Sequence, residues 1–250
     1  MPKLFVVSDI HSFYTPLKKA LDEKGFDPKN ENHWLVVCGD CFDRGHESVE
    51  MLRFLMTLER KVIVRGNHDI LLEECCMREF FYSHDISNGT VRTINDLGGA
   101  GYGRSFDECC QITWNKTARY RELLVNYFET QNYIFVHSWI PVVSQRGVCQ
   151  GYDESWREAT FQRWDNAMWG NPFKMAEMGM NQTGKTIIFG HWHCSTGWAN
   201  AEGRSEFGAD AKFDPYYGDG FIAIDACTAH SGQVNVLVLE DEFLKDKDEN

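Results

Sequence analysis

Five apolar segments of this 250-residue chain each end beside a side chain that can bind a hard divalent metal ion. Aspartate, asparagine and histidine offer carboxylate, amide and imidazole donors, and such ions accept this mixture of oxygen and nitrogen ligands. A single ending of this kind would carry no weight, because several of these residue types are also common in turns. Five in series predict one metal-binding edge. The possible donors at these endings are Asp9 and His11, Asp40 and Asp43, Asn67, His68 and Asp69, His137, and His191 and His193.

The segments that carry these residues are short and rich in β-branched or aromatic side chains. They cover residues 5–8, 34–38, 62–65, 133–136 and 186–189. The stretches between the first three have apolar residues at helical spacing, so strands and helices alternate. This alternation predicts an α/β fold around a largely buried sheet. The candidate ligands would then lie at the carboxyl ends of the strands, where open α/β sheets place their sites.

The chain is long enough to bury a complete core, and no linker or internal repeat divides it. We therefore predict a single domain over residues 1–250. Residues 70–130 mix acidic, aromatic and cysteine residues with few strand-like runs, which favours a helical cap region beside the site. Residues 195–219 are rich in glycine, aspartate and aromatic side chains and predict a long loop, which in a compact domain is usually functional or mobile.

Charge and cysteine content argue against several classes of partner. The formal net charge is −12 and no run of lysine or arginine is present, so neither a nucleic acid nor a membrane surface is expected as a stable partner. No apolar stretch is long enough to span a bilayer, and the amino terminus lacks a signal-peptide pattern. The nine cysteines are an odd number, and we interpret them as reduced thiols of a cytoplasmic protein.

Five motifs follow one another in a fixed order. They are Asp-x-His at residues 9–11, Gly-Asp-x-x-Asp-Arg-Gly at 39–45, Gly-Asn-His-Asp at 66–69, an isolated His137 and Gly-His-x-His at 190–193. This order resembles the calcineurin-like metallophosphoesterases. Asp-Arg-Gly and Arg-Gly-Asn-His resemble more narrowly the phosphoprotein phosphatase branch, which includes small bacterial and phage serine/threonine phosphatases and the symmetrical dinucleoside tetraphosphatases. The resemblance covers most of the chain and implies a four-layer α/β/β/α metallophosphoesterase sandwich.

The resemblance also implies a binuclear metal centre, with Mn²⁺ as the expected ion and Fe, Zn or Mg as alternatives. The ligands implied for the first ion are Asp9, His11, Asp40 and, in many family members, His193. Asp40 would bridge to the second ion, whose other implied ligands are Asn67, His137 and His191. Each residue alone has a structural alternative, as a turn residue, a helix cap or a core histidine. The ordered set favours the metal site, because independent coincidences multiply against the alternatives.

Three residues near these ligands have roles implied by the same resemblance. His68 would be the general acid that protonates the leaving oxygen, and Asp43 would orient it. Arg44 would bind phosphate oxygens, to which the guanidinium fork is suited. A metal-bridging hydroxide would attack in line, without a covalent enzyme intermediate. Arg65 has two open interpretations, since it either contacts phosphate or ties its own loop together.

The reaction predicted from this set is hydrolysis of phosphomonoesters by a metal-dependent phosphatase, with phosphoserine or phosphothreonine in proteins as the leading substrate. A symmetrical dinucleoside tetraphosphatase is the alternative, and a phosphodiesterase is third. A degenerate member that serves as a binding scaffold is disfavoured, because every expected ligand and His68 are present. One departure concerns substrate binding. Relatives often have an arginine just after a tryptophan, whereas Trp169 is followed by Gly-Asn-Pro, which leaves Arg104, Arg157 and Arg163 as substitutes.

Overall fold

The computed structural model describes residues 1–145 and 148–244 of the chain. The strands of this part are β1 (Lys3–Val7), β2 (His33–Cys38), β3 (Lys61–Val64), β4 (Leu124–Val125), β5 (Phe128–Glu129), β6 (Tyr133–Phe135), β7 (Val142–Gln145), β8 (Val148–Tyr152), β9 (Thr186–Phe189), β10 (Tyr216–Gly218), β11 (Phe221–Ala223) and β12 (Leu237–Glu240). The α-helices are α1 (Tyr14–Glu23), α2 (Ser48–Thr57), α3 (Asn67–Arg78), α4 (Ser83–Asn88), α5 (Thr90–Gly98), α6 (Phe106–Lys116), α7 (Ala118–Glu122), α8 (Phe161–Met168), α9 (Pro172–Glu177), α10 (Cys194–Glu202) and α11 (Thr228–Ser231). None of the helices in this part of the chain has the length and hydrophobicity that crossing a membrane requires.

Two five-stranded sheets form the centre of the fold. Sheet A has the strand order β12-β1-β2-β3-β4, and sheet B has the order β10-β11-β9-β6-β5. Strands β1 to β4 run parallel to one another, and so do β6, β9 and β11. The carboxyl ends of the parallel strands therefore lie at one edge of each sheet. Strands β7 and β8 form a separate hairpin.

Side chains of β1 alternate between two apolar layers. Leu4 and Val6 lie in a layer that also contains Phe135 and Ile188 of sheet B, so this layer joins the two sheets. The alternate residues of β1 join helices on the outer face of sheet A, and a third layer lies between sheet B and helices α8 to α10. Each fully buried aliphatic or aromatic side chain of this kind contributes about 1.5–3 kcal/mol. The order helix, sheet, sheet, helix confirms the predicted four-layer sandwich.

Residues 70–130 are mainly helical, as predicted, and the strands β4 and β5 end this region. The short connection between β4 and β5 takes the chain from sheet A to sheet B. Helices α3, α5 and α6 pack in the outer layer of sheet A. A cap that closes over the site stays a prediction, although α5 does reach the site, as shown below.

The prediction of one long loop over residues 195–219 is wrong at both ends. Helix α10 occupies its beginning and β10 lies near its end, so residues 203–215 are the part outside helices and strands. Gly197 is the misleading signal, because glycine usually marks a loop. Here its absent side chain is required for close packing inside a helix. A Cβ at this position would lie 2.6 Å from the Tyr216 ring and 2.9 Å from the Phe173 ring.

Candidate metal centre

The two sheets bring the ends of five strands together. Asp9 follows β1, Asp40 follows β2, Asn67 begins α3 just after β3, His137 follows β6 and His191 follows β9. The first four side chains are buried and the fifth is half-buried. Residues from distant parts of the chain therefore share one polar centre, which lies where the two sheets meet at the carboxyl ends of their strands.

Asp40 lies in the middle of this group. Its Oδ2 atom is 3.5 Å from His137 Nε2, 3.8 Å from His11 Nε2 and 4.0 Å from His68 Nε2. The Oδ1 atom of Asn67 is 2.7 Å from His137 Nε2. An ion with bonds of ~2.0–2.2 Å can lie between two donors up to about 4 Å apart. These separations therefore suit residues that converge on bound ions.

Two sets of three residues have ligand atoms that all lie within 4.8 Å of one another, namely Asp9 with Asp40 and His137, and His11 with Asp40 and His68. Asp40 belongs to both sets, which is the position a bridging carboxylate requires. The second set includes His68, for which the resemblance implies the role of general acid. The structure therefore leaves two roles open for His68, as a metal ligand or as the acid. The carboxylate, imidazole and amide oxygen donors fit hard or borderline divalent ions.

Backbone carbonyls fix the orientation of three histidine rings. Phe42 O accepts a hydrogen bond from His11 Nδ1 at 2.8 Å, and Cys38 O accepts one from His137 Nδ1 at 3.0 Å. The His191 ring is hydrogen-bonded to the backbone carbonyl of Trp169. In His11 and His137, Nδ1 therefore carries a proton, and Nε2 is the ring nitrogen that faces the centre. Such contacts to the outer nitrogen are typical of histidines that bind metals.

Burial controls the ionisation of the centre. It lowers the pKa of His11, and it lowers the pKa of His191 to about 3, so both rings are neutral, as metal ligands must be. Burial also raises the pKa of Asp9 to about 6, although His137 opposes this. Burial acts in the same direction on Asp40, but the surrounding imidazoles, above all that of His137, hold its pKa below the ordinary value.

Backbone strain is concentrated at the same residues. Non-glycine residues with positive φ cost about 1–3 kcal/mol each and persist only where the surroundings impose them. Nine such residues occur in the described chain, and six are predicted site residues. These six are Asp9, His11, Asp40, Asp43, Arg44 and His191. The sharp turns at these residues let each short loop direct its polar side chains toward the common centre.

Glycines before the ligands let the loops approach closely. Gly39 precedes Asp40 with φ at 85°, and a Cβ there would overlap the His137 ring and lie 2.9 Å from Gly66 Cα. A Cβ on Gly66 would overlap the Asp40 carboxylate, and one on Gly190 would overlap Asp9. The glycines of the motifs are therefore needed because the ligand loops are in contact.

Gly39→Ala is expected to lower the free energy of unfolding by about 1–3 kcal/mol more than Gly203→Ala, because overpacking adds to the cost of a left-handed alanine. Gly203 is the matched control, since its φ of 67° is also positive but a Cβ there meets no atom within 4 Å. Urea unfolding of both variants measures the difference. Equal losses would show that the loops separate without cost.

His68 is held by a carboxylate on the side away from the metal ligands. Its Nδ1 atom is 2.8 Å from Asp43 Oδ2, which also accepts a hydrogen bond of 2.7 Å from the hydroxyl of Thr90 in α5. Burial lowers the pKa of His68, but Asp40 and Asp43 outweigh it, and the pKa is raised overall. Arg44 Nη2 lies 3.5 Å from His68 Nε2. The residue predicted to be the acid and the residue predicted to bind phosphate thus lie side by side, while both roles stay predictions.

The other predicted cations have protein partners. Arg65 Nη1 is 3.0 Å from Glu73 Oε1, which fits the structural interpretation of this residue. Arg104 donates to the carbonyl of Gly98 at 3.0 Å. The remaining two candidates also pair with carboxylates, Arg157 with Glu129 and Arg163 with Asp153.

His193 is set apart from the other candidate ligands. Its Nδ1 atom is 3.9 Å from Glu206 Oε1, and its ring meets Phe207 edge-on at 5.3 Å. It belongs to neither of the two sets of converging donors found among the described residues. Its role as a ligand of the first ion therefore stays a proposal.

Two buried carboxyl groups beside the centre were not predicted. Asp225 accepts the backbone N–H of Cys227 at 2.7 Å, and burial together with Asp9 raises its pKa. Asp69 accepts N–H from Gly66 at 2.8 Å and O–H from Tyr120 at 2.7 Å, which anchors the loop before Asn67. Asp225 follows an apolar run, so the strand-end pattern could have identified it. The contact between Asp69 and Tyr120 depends on helix packing and has no local signal.

Comparison with known proteins gives the family. A profile of the calcineurin-like phosphoesterases matches residues 2–195, and the chain belongs to this family.

Sequence relatives carry a more specific name. The symmetrical bis(5'-nucleosyl)-tetraphosphatase of Erwinia tasmaniensis is 41% identical over 172 residues, which cover 67% of this chain and 57% of that relative. The protein of the same name from Pseudomonas fluorescens is 32% identical over 139 residues, covering 55% of this chain and 43% of that relative. The chain thus spans about half the length of these relatives.

Solved structures agree on the fold. A structure attributed to a diadenosine tetraphosphatase aligns with a TM-score of 0.52 at 14% identity, covering 98% of this chain and 97% of the other. A cold-active protein tyrosine phosphatase aligns with a TM-score of 0.56 at 15% identity, covering 96% of this chain and 74% of the other. Identities this low support the shared fold and say nothing about substrate.

Proposed function

We propose that this chain hydrolyses dinucleoside tetraphosphates symmetrically, breaking the central phosphoanhydride bond and releasing two nucleoside diphosphates. The observation that carries the proposal is the 41% identity over 172 residues to an enzyme of that name. This match includes many more residues than the metal motifs contain. The phosphoserine or phosphothreonine substrate expected from the motifs has no comparable support, because the likeness to a protein phosphatase structure is at 15% identity.

The proposed chemistry divides between metal ions and side chains. Two divalent ions, when bound, would neutralise phosphoryl oxygens and make a water molecule more acidic. We propose Mn²⁺ as the ion, held by Asp9, His11, Asp40, Asn67, His137 and His191. His193 is the proposed additional ligand.

The protein's own groups then act on the substrate. The guanidinium of Arg44 would hold the phosphoryl oxygens, for which its paired N–H donors are suited. His68 would give the proton of its Nε2 atom to the leaving oxygen, while Asp43 keeps the ring in place through Nδ1. A terminal phosphate has a second pKa of about 6, so a nucleoside diphosphate leaves readily. An alkyl phosphomonoester would depend much more strongly on the acid.

A substrate panel tests this function. The purified 250-residue protein with Mn²⁺ would be given diadenosine tetraphosphate, a phosphothreonine peptide, p-nitrophenyl phosphate and bis-p-nitrophenyl phosphate, with Asp40→Asn as the metal-site control. We expect the highest kcat/KM for the dinucleotide, with adenosine diphosphate as the sole nucleotide product. A higher kcat/KM for the peptide would restore the protein phosphatase interpretation, and unequal nucleotide products would contradict symmetrical cleavage.

A further inference from the structure

A cavity of about 570 Å³ lies between the β7–β8 hairpin and the helices α8 and α9. This volume is within the range of about 300–1,000 Å³ typical of small-molecule sites. Its walls include the apolar side chains of Trp139, Ile140, Met175 and Met178. Neither the metal ligands nor the residues proposed for catalysis line it, so it is a separate feature of the molecule.

Backbone contacts connect this cavity to the metal centre. Gly170 lines the cavity, and its carbonyl accepts a hydrogen bond of 2.9 Å from Ser138, the residue after His137. The preceding residue, Trp169, hydrogen-bonds His191 through its own carbonyl. Trp169 is itself 49% exposed, and it directly precedes a residue of the cavity lining. One wall of the cavity is therefore built on residues that contact Ser138 and His191.

The charge of the cavity is opposite to that of the chain. The whole sequence has 37 acidic and 25 basic residues, whereas the cavity lining drawn from residues 1–145 and 148–244 contains Arg163 and Lys174 and no carboxylate. Arg163 is paired with Asp153. Lys174 is exposed and forms no ion pair with any residue in 1–145 or 148–244. An apolar space with a free cation suits a ligand that joins a ring to an anionic group.

We propose that this cavity binds one nucleoside diphosphate half of the substrate, with the base against the apolar walls and a phosphate near Lys174. The proposal rests on the proposed function, since it assigns the binding site for part of that substrate. A phosphopeptide would need apolar residues beside its phosphorylated residue to use the same walls. Lys174, unpaired within the described residues, favours the nucleotide, because a polyphosphate carries further anionic phosphates beyond the one held at the metal centre.

Two variants test the cavity. Lys174→Gln removes the cation, and Ala167→Leu narrows the space, since Ala167 also lines it. Lys24→Gln is the matched control, because this exposed lysine follows α1 in the opposite helical layer. We expect the ratio of the KM for diadenosine tetraphosphate to the KM for p-nitrophenyl phosphate to rise about fivefold in both variants. The control should keep the wild-type ratio.

Calorimetric titration of adenosine diphosphate into the metal-loaded protein separates this inference from the proposed function. Weaker binding of adenosine diphosphate in both cavity variants supports the site. Failure of the wild type to hydrolyse the dinucleotide would overturn the proposed function alone and would leave this support for the site intact. Normal hydrolysis with unchanged KM and unchanged binding in both variants would overturn the cavity site and leave the function intact. A rise in KM confined to the phosphothreonine peptide would also overturn it, because the cavity would then be a peptide subsite.

Discussion

Replacing Asp40 by asparagine is expected to reduce kcat about a thousandfold. Asp40 is the one residue common to both sets of converging donors in the described chain. Asparagine keeps the size of the side chain but removes the charge that attracts two cations. Loss of several kcal/mol of electrostatic stabilisation corresponds to roughly three powers of ten in rate.

The change should be visible in metal binding as well as in turnover. Mn²⁺ should raise the thermal midpoint of the wild type, because a ligand that binds the folded state stabilises it. The rise should be much smaller in Asp40→Asn, and metal analysis should show less than two ions per chain.

Asp241→Asn is the matched control for this experiment. Asp241 is also buried, but it binds Thr130 and Asn132 at the amino-terminal end of β6, opposite the end that His137 follows. This variant should lose stability and keep its bound metal. Near-normal turnover with full metal content in Asp40→Asn would show that another residue bridges the ions.

The part of the centre that could be predicted is the part set by local sequence. A strand is recognisable from its apolar run, and parallel strands bring their carboxyl ends to one edge. Asp9, Asp40 and His137 are found by this argument alone, and the structure brings them together. The same argument extends to Asp225, where the run of residues 221–224 ends in a buried carboxyl group.

The contacts that hold the catalytic groups depend on packing between distant segments. Thr90 reaches Asp43 only because α5 lies against the loop after β2, and Gly89 permits this because a Cβ there would meet the backbone of Arg44. In the sequence, Gly89 and Thr90 are typical of any helix boundary, so neither residue signals this contact. The position of Gly197 in α10 is a similar case, since its close contact with Tyr216 is set by tertiary structure.

The second large effect is expected from His68→Gln, and it should depend on the leaving group. A general acid contributes roughly 10²–10⁴-fold when the departing oxygen is basic. Phenyl phosphate has such a leaving group, whereas p-nitrophenolate is much less basic and needs little protonation. We therefore expect kcat for phenyl phosphate to fall by about a hundredfold or more and kcat for p-nitrophenyl phosphate to fall far less.

Metal analysis of the same variant decides between the two roles that the structure leaves open for His68. The Nε2 atom of His68 is close enough to Asp40 for both side chains to bind the same metal ion. The Nδ1 atom of His68, however, contacts Asp43, as expected of a general acid whose ring is held in place by a carboxylate. Full metal content with a leaving-group-dependent loss would support the acid. Loss of an ion, with both substrates affected equally, would make His68 a ligand instead. His33→Gln, at the amino end of β2, is the control for a histidine outside the centre and should change neither quantity.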